Sequence, residues 1–216
     1  MSDHVSMRLG FWASAAVAVL GTIYLGLLVW YFTTEGLTFP PTSFVQTVGG
    51  IVTILSAPAI LVAFAALRHL APPEKAAYAT VGLNFAVLFV AMVSINRFVQ
   101  LTVVRLSPPG APSADLGRFL PYSTDSVMFS LEILGWGFFL SLASLFMAPL
   151  FSGAKLQRSI RWLLVLFALF SFMSVIGFAT ATPITAAGFI AWGPILLALA
   201  ILLAILFKRE ERPSVQ

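Results

Sequence analysis

The chain contains no cysteine, which removes disulfides, thiolate catalysis, iron–sulfur ligation and cysteine-based zinc sites from consideration. Histidine is almost as scarce. His4 and His69 stand far apart, each near the end of a predicted helix, so no histidine-based metal cluster is expected and no metal is assigned. Charge is thin as well: 9% of the 216 residues are Asp, Glu, Lys or Arg, against about 25% in an ordinary soluble domain. No lysine falls within an apolar run, which excludes a retinal-type Schiff base, and no Ser–His or paired-Asp constellation occurs there. No cofactor is expected.

Apolar sequence is what the chain has instead. Sixty per cent of it is hydrophobic and its mean hydropathy is +1.00, where a soluble domain is about 45–50% apolar. Six stretches reach the roughly 20 residues needed to cross about 30 Å of hydrocarbon. They run from Leu9 to Phe32, Ser43 to Leu67, Ala76 to Val104, Val127 to Phe151, Trp162 to Thr180 and Ala186 to Phe207. Phe39-Pro40-Pro41, Ala71-Pro72-Pro73, Ser107-Pro108-Pro109-Gly110, Phe151-Ser152-Gly153 and Thr182-Pro183 punctuate them. The longest gap, Leu106 to Ser126, is too short for a separate soluble domain. The expectation is a single integral membrane domain over 1–216, an all-α, polytopic six-helix transmembrane bundle. The first run exceeds a signal-peptide core and no small-x-small site follows Phe32, so it is read as a retained helix.

Basic residues orient the bundle. Arg8, Arg68, Lys75, Lys155, Arg158, Arg161, Lys208, Arg209 and Arg212 fall on one side of the predicted membrane, and only Arg105 and Arg118 on the other. The richer side belongs in the cytoplasm, which places both termini there, in a plasma or inner membrane. An even number of crossings agrees. The same topology accounts for the net charge of +4, so the lipid bilayer is the expected partner and nucleic acid is not. Trp30, Tyr31, Phe32, Tyr122 and Trp162 fall where interfacial aromatics belong. The two halves of the chain would run in inverted orientations, as in many transporters, but show no residue-level similarity.

Ionisable residues within a bilayer mark sites by default. Arg97 lies in Ser94-Ile-Asn-Arg-Phe-Val-Gln100 of the third run and Glu132 in Phe129-Ser-Leu-Glu-Ile-Leu-Gly135 of the fourth. They sit about 10 Å and 9 Å inside the outer ends of those runs, at 1.5 Å per residue. Consecutive helices are usually neighbours, so an Arg97–Glu132 ion pair is predicted. Asn96 and Gln100 share that face of the third helix. Gln46 in the second and Tyr24 in the first come to a similar height, completing a candidate ligand set. Asp125 stands where an acidic cap would open the fourth helix, and Gly135 and Gly137 would let neighbours approach beside Glu132. The bland alternatives are interfacial placement of both charges, a snorkelling Arg97, or a pair that only holds two helices in register.

Other polar and breaking residues read as structural. Asn84, about 120° around the third helix from Asn96, is expected to bond a neighbouring helix. Pro58, Pro149 and Pro194 are expected to bend or end helices, and Gly49-Gly50 suits close packing rather than phosphate binding. The proline-rich loop from Leu106 to Ser126 is a candidate lid. Three functions remain open. The first is binding or transport of a small amphipathic or lipidic ligand in an outward-facing cavity, held by Arg97. The second is a membrane-embedded enzyme acting on a lipid or isoprenoid, with Glu132 as general acid. The third is a non-catalytic accessory or assembly subunit.

Overall fold

The computed structural model describes residues 3–36, 41–107, 116–120 and 125–211. Six helical stretches in it are long and apolar enough to cross a membrane: α1 (His4–Glu35), α2 (Ser43–Leu70), α3 (Pro73–Val104), α4 (Val127–Leu150), α5 (Lys155–Ala179) and α6 (Pro183–Glu210). The protein is an all-α six-helix bundle and an integral membrane protein. Each helix packs on its neighbours in sequence, and α6 returns to α1, so the order closes into a ring. The start of α1 and the end of α6 meet at one end, called the terminal end, where Arg8 and Glu211 form an ion pair at 3.9 Å. The opposite end is called distal below.

Several helices run past their apolar stretches. α5 starts at Lys155 and not near Trp162, because the segment with Lys155, Arg158 and Arg161 continues the helix beyond the apolar run. Hydropathy detects the membrane boundary; the backbone has no reason to stop there. Similarly, α6 opens at Pro183 in a 3-10 turn and continues to Glu210. The α5–α6 link is a Schellman turn. The Thr182 N–H reaches the Gly177 carbonyl at 2.8 Å, the Ala181 N–H reaches that of Phe178 at 3.2 Å, and Ala181 adopts φ 52° where glycine is usual. Ser126, not Asp125, caps α4: its hydroxyl accepts from the Phe129 N–H at 3.2 Å and donates to the Arg118 carbonyl at 3.0 Å.

The terminal half is close-packed and apolar. Leu67, Ala79, Ala143, Met147, Ile160, Leu164, Phe167 and Phe207 are almost completely enclosed there. In a bilayer, lipid is as apolar as leucine, so helices adhere through packing and close approach. Small residues supply that approach. A Cβ on Gly82 of α3 would lie 3.1 Å from the Ala143 carbonyl oxygen of α4, and one on Gly10 of α1 would lie 2.7 Å from the Phe207 ring. Lys75 donates to the Ser152 hydroxyl at 2.9 Å, tying the first turn of α3 to the α4–α5 link. Tyr31 is buried within the bundle, while Trp30 and Trp162 are well exposed. Tyr122, Arg212 and the loop prolines Pro108, Pro109, Pro112 and Pro121 lie outside the described residues, and with them most of the candidate lid.

Candidate functional site

Near the distal end of α3, Asn96, Arg97 and Gln100 turn inward while Ile95 and Phe98 face out. Glu132 projects from α4 toward them. Arg97 is 5% exposed, Glu132 8% and Asn96 0%, so the charges are enclosed by the bundle. The Arg97 guanidinium forms an ion pair with Glu132 Oε1. Asn96 Nδ2 donates to the other carboxylate oxygen at 3.0 Å, and Arg97 Nη1 donates to Gln100 Oε1 at 2.6 Å. Two consecutive residues of α3 thus engage both oxygens of one carboxylate on α4.

The approach of helices beside Glu132 follows from its glycines. A Cβ on Gly135 would stand 3.2 Å from Val93 of α3, and one on Gly137 would stand 2.5 Å from Val175 of α5. The α4 backbone can therefore pack directly against the Val93 side chain of α3 on one side and the Val175 side chain of α5 on the other.

Three helices are locally rewound around this level. π-helical turns span Gln100–Val104 in α3, Ile133–Phe139 in α4 and Ala191–Ile195 in α6. Such turns are rare and frequent at functional sites. The last contains Pro194, which lacks the N–H an α-helical ladder requires. The π-turn of α4 begins directly after Glu132, and that of α3 begins three residues after Arg97.

Arg97 and Glu132 form part of the wall of a cavity of about 70 Å³ between α1, α2, α3, α4 and α6. Tyr24, Thr53, Ser56, Trp136 and Trp192 line it with them. The Thr53 and Ser56 hydroxyls donate to the Gly49 and Val52 carbonyls of their own helix, both at 2.7 Å, which leaves hydroxyl lone pairs to accept from another group. Trp136 packs edge-on against Phe89 at 4.8 Å between ring centroids and lies 6.3 Å from Trp192. Trp192 Nε1 donates to the Ser171 hydroxyl at 3.0 Å. The cavity therefore has a charged side, a hydroxyl side and an aromatic side.

Of the residues predicted from sequence, Asn96, Arg97, Gln100 and Glu132 come together in one network, and Tyr24 joins Arg97 and Glu132 on the cavity wall. Gln46 is not among the lining residues; its Nε2 donates to the Pro41 carbonyl at 2.5 Å. Gly49 and Gly50 serve packing as expected, against Tyr24 and Leu101. Thr53, Ser56, Trp136 and Trp192 were not anticipated. Gly-Trp-Gly at 135–137 and Trp-Gly-Pro at 192–194 carried the signal, since each places a large ring beside residues that loosen a helix.

The chain matches no protein-family model, no curated protein and no solved structure. Its function must be read from the site.

Proposed function

We propose that the protein binds, and in a transport cycle carries, a small amphipathic or lipidic ligand at the Arg97 cavity. One observation carries this reading: the buried Arg97–Glu132 pair borders open space instead of being sealed between helices. A pair that only fixes helix register has no need of a cavity beside it.

The cavity's size constrains the ligand. About 70 Å³ admits a polar group of a few heavy atoms, whereas sites that enclose drug-sized molecules span about 300–1,000 Å³. The head group would sit against Arg97 and the Thr53 and Ser56 hydroxyls. The apolar remainder would lie along α1 and α6, whose Gly21 and Gly193 border the cavity. Arg97 supplies the charge for a carbonyl or anionic group, and Glu132 compensates it when the site is empty.

The enzyme reading has less support. A general acid must present an O–H, and both Glu132 oxygens accept hydrogen bonds. The accessory-subunit reading treats the pair as scaffolding and expects an Arg97/Glu132 charge swap to be nearly neutral.

The deciding experiment is a thermal-unfolding screen of detergent-purified protein against lipids, isoprenoids and small anions, with Arg97→Ala and Glu132→Ala in parallel. A compound that raises the wild-type midpoint and neither variant's supports the site, by mass action on the folded state. No hit, with both variants melting far below wild type, supports scaffolding. We further infer cytoplasmic termini, in a plasma or inner membrane, from the basic residues gathered at the terminal end. A single cysteine at the exposed Ser152 should escape an impermeant maleimide in intact cells and react after permeabilisation. The opposite pattern inverts the topology.

A further inference from the structure

The chain has two asparagines, both on α3. Asn96 is enclosed in the network beside Glu132. Asn84 faces out of the bundle. This corrects the expectation that it bonds a neighbouring helix: no hydrogen bond joins it to another of the described residues. The position is not peripheral in depth. Asn84 stands eleven residues from Pro73 and twenty from Val104, about 16 Å and 30 Å along the axis. With about 30 Å of hydrocarbon centred on the helix, it lies well inside. An amide there meets no water, and lipid tails offer it no donor or acceptor.

The face around Asn84 has the pitch of a helix–helix seam. Ala77, Asn84, Ala91 and Phe98 are seven residues apart and all exposed, with Val87 and Leu88 between them exposed too. A seven-residue repeat keeps two helices in contact over successive turns, and alanines at the repeat positions let backbones come close. The flanks of α3 are occupied by α2 and α4, so this face is the one its own bundle leaves uncovered.

We propose that a second copy of this chain covers it, in a symmetric parallel dimer with Asn84 facing Asn84 at the centre. The occupant follows from the chemistry of the amide. Asparagine is both donor and acceptor, so two copies across a two-fold axis exchange a reciprocal pair of N–H···O bonds. A foreign helix would need its own polar group at this depth; the same chain supplies one at the same depth by symmetry. A single asparagine in an apolar seam also fixes the register of such a pair.

The absence of native cysteine makes the test clean. Single-cysteine variants Ala77→Cys and Ala91→Cys retain Asn84 and, oxidised in native membranes, should yield a covalent dimer at twice the chain mass. Ile176→Cys, on the exposed face of α5, should not. In detergent, Asn84→Leu should weaken dimerisation about tenfold, the scale of one interhelical polar contact, while Asn84→Gln stays near wild type. The thermal midpoint of dilute Asn84→Leu monomer should be unchanged, which separates loss of association from loss of fold. Equal cross-linking at Ile176 and Ala91, cross-links only to a different protein, a monomer at every concentration, or an Asn84→Leu dimer as tight as wild type would each overturn the proposal.

Discussion

Along α4, the residues from Leu140 to Met147 form regular α-helix packed on small and apolar side chains, while the seven before them, Ile133–Phe139, are wound as a π-helix around Trp136. That contrast extends through the bundle. The terminal half holds its helices by dry interdigitation of Phe167, Leu164, Ile160, Met147 and Phe207. The distal half contains all three π-helical turns, the ion pair and the cavity. Regular helices leave no space and satisfy every interior backbone group. A site needs space and convergent polar groups, which the distal half obtains by rewinding three helices. The terminal half thus carries the packing that holds the fold, and the distal half the irregular backbone that makes room for the site.

Removing one member of the ion pair should have the largest effect on the distal half. Arg97→Ala leaves the Glu132 carboxylate enclosed with its charge uncompensated, and such losses cost about 3–5 kcal/mol. Replacing both together, as Arg97→Met with Glu132→Leu, should recover much of that stability without restoring ligand response. Equilibrium unfolding in mixed micelles would measure both. If the single and double variants were equally unstable, the pair would be better described as one rigid strut than as a compensated charge.

Next in size is a strike at the dry half. Gly10→Val places a branched side chain where a Cβ already falls 2.7 Å from Phe207 and 2.8 Å from Ala66, and should cost about 1–3 kcal/mol by overpacking. The Arg97 cavity lies toward the other end, so any ligand-induced rise in midpoint should persist. A lost rise would show that the halves are coupled. Smaller, and of opposite sign, is Ala181→Gly in the distal turn. Relieving a left-handed alanine should stabilise by about 1 kcal/mol, read as a higher thermal midpoint.

The smallest effect concerns the surface charges at the terminal end. The Lys208 ammonium, bonded to Glu211 at 3.0 Å, and Arg8 nearby hold the Glu211 carboxyl below its ordinary value of 4.5. A depressed folded-state value means stability present above pH 4.5 and lost as pH falls through that lower value. The midpoint should therefore drop slightly on acidification below about pH 4.5. Glu211→Gln or high salt should abolish that part of the drop. The enclosed Arg97–Glu132 pair should be nearly indifferent to salt, which sharpens the contrast between the two ends.

Composition and run length by themselves determined the class of protein, the number of helices and their order. In a bilayer every backbone polar group must be bonded within its own segment, so about twenty apolar residues between breakers have essentially one outcome. The Arg97–Glu132 pair was legible for a related reason. Two charges at matched depth on consecutive helices have few other ways to be tolerated. Which way a helix turns about its own axis was not legible. Asn84 and Asn96 look alike in the sequence, yet packing against α2 and α4 sends Asn96 inside and Asn84 out. Nor could hydropathy reveal Thr53, Ser56, Trp136 and Trp192 as one wall, because they stand on three helices. Their convergence depends on π-turns and on glycine contacts between helices. In lipid the hydrophobic effect selects no face of an apolar helix, so close packing does, and packing exists only in the assembled bundle.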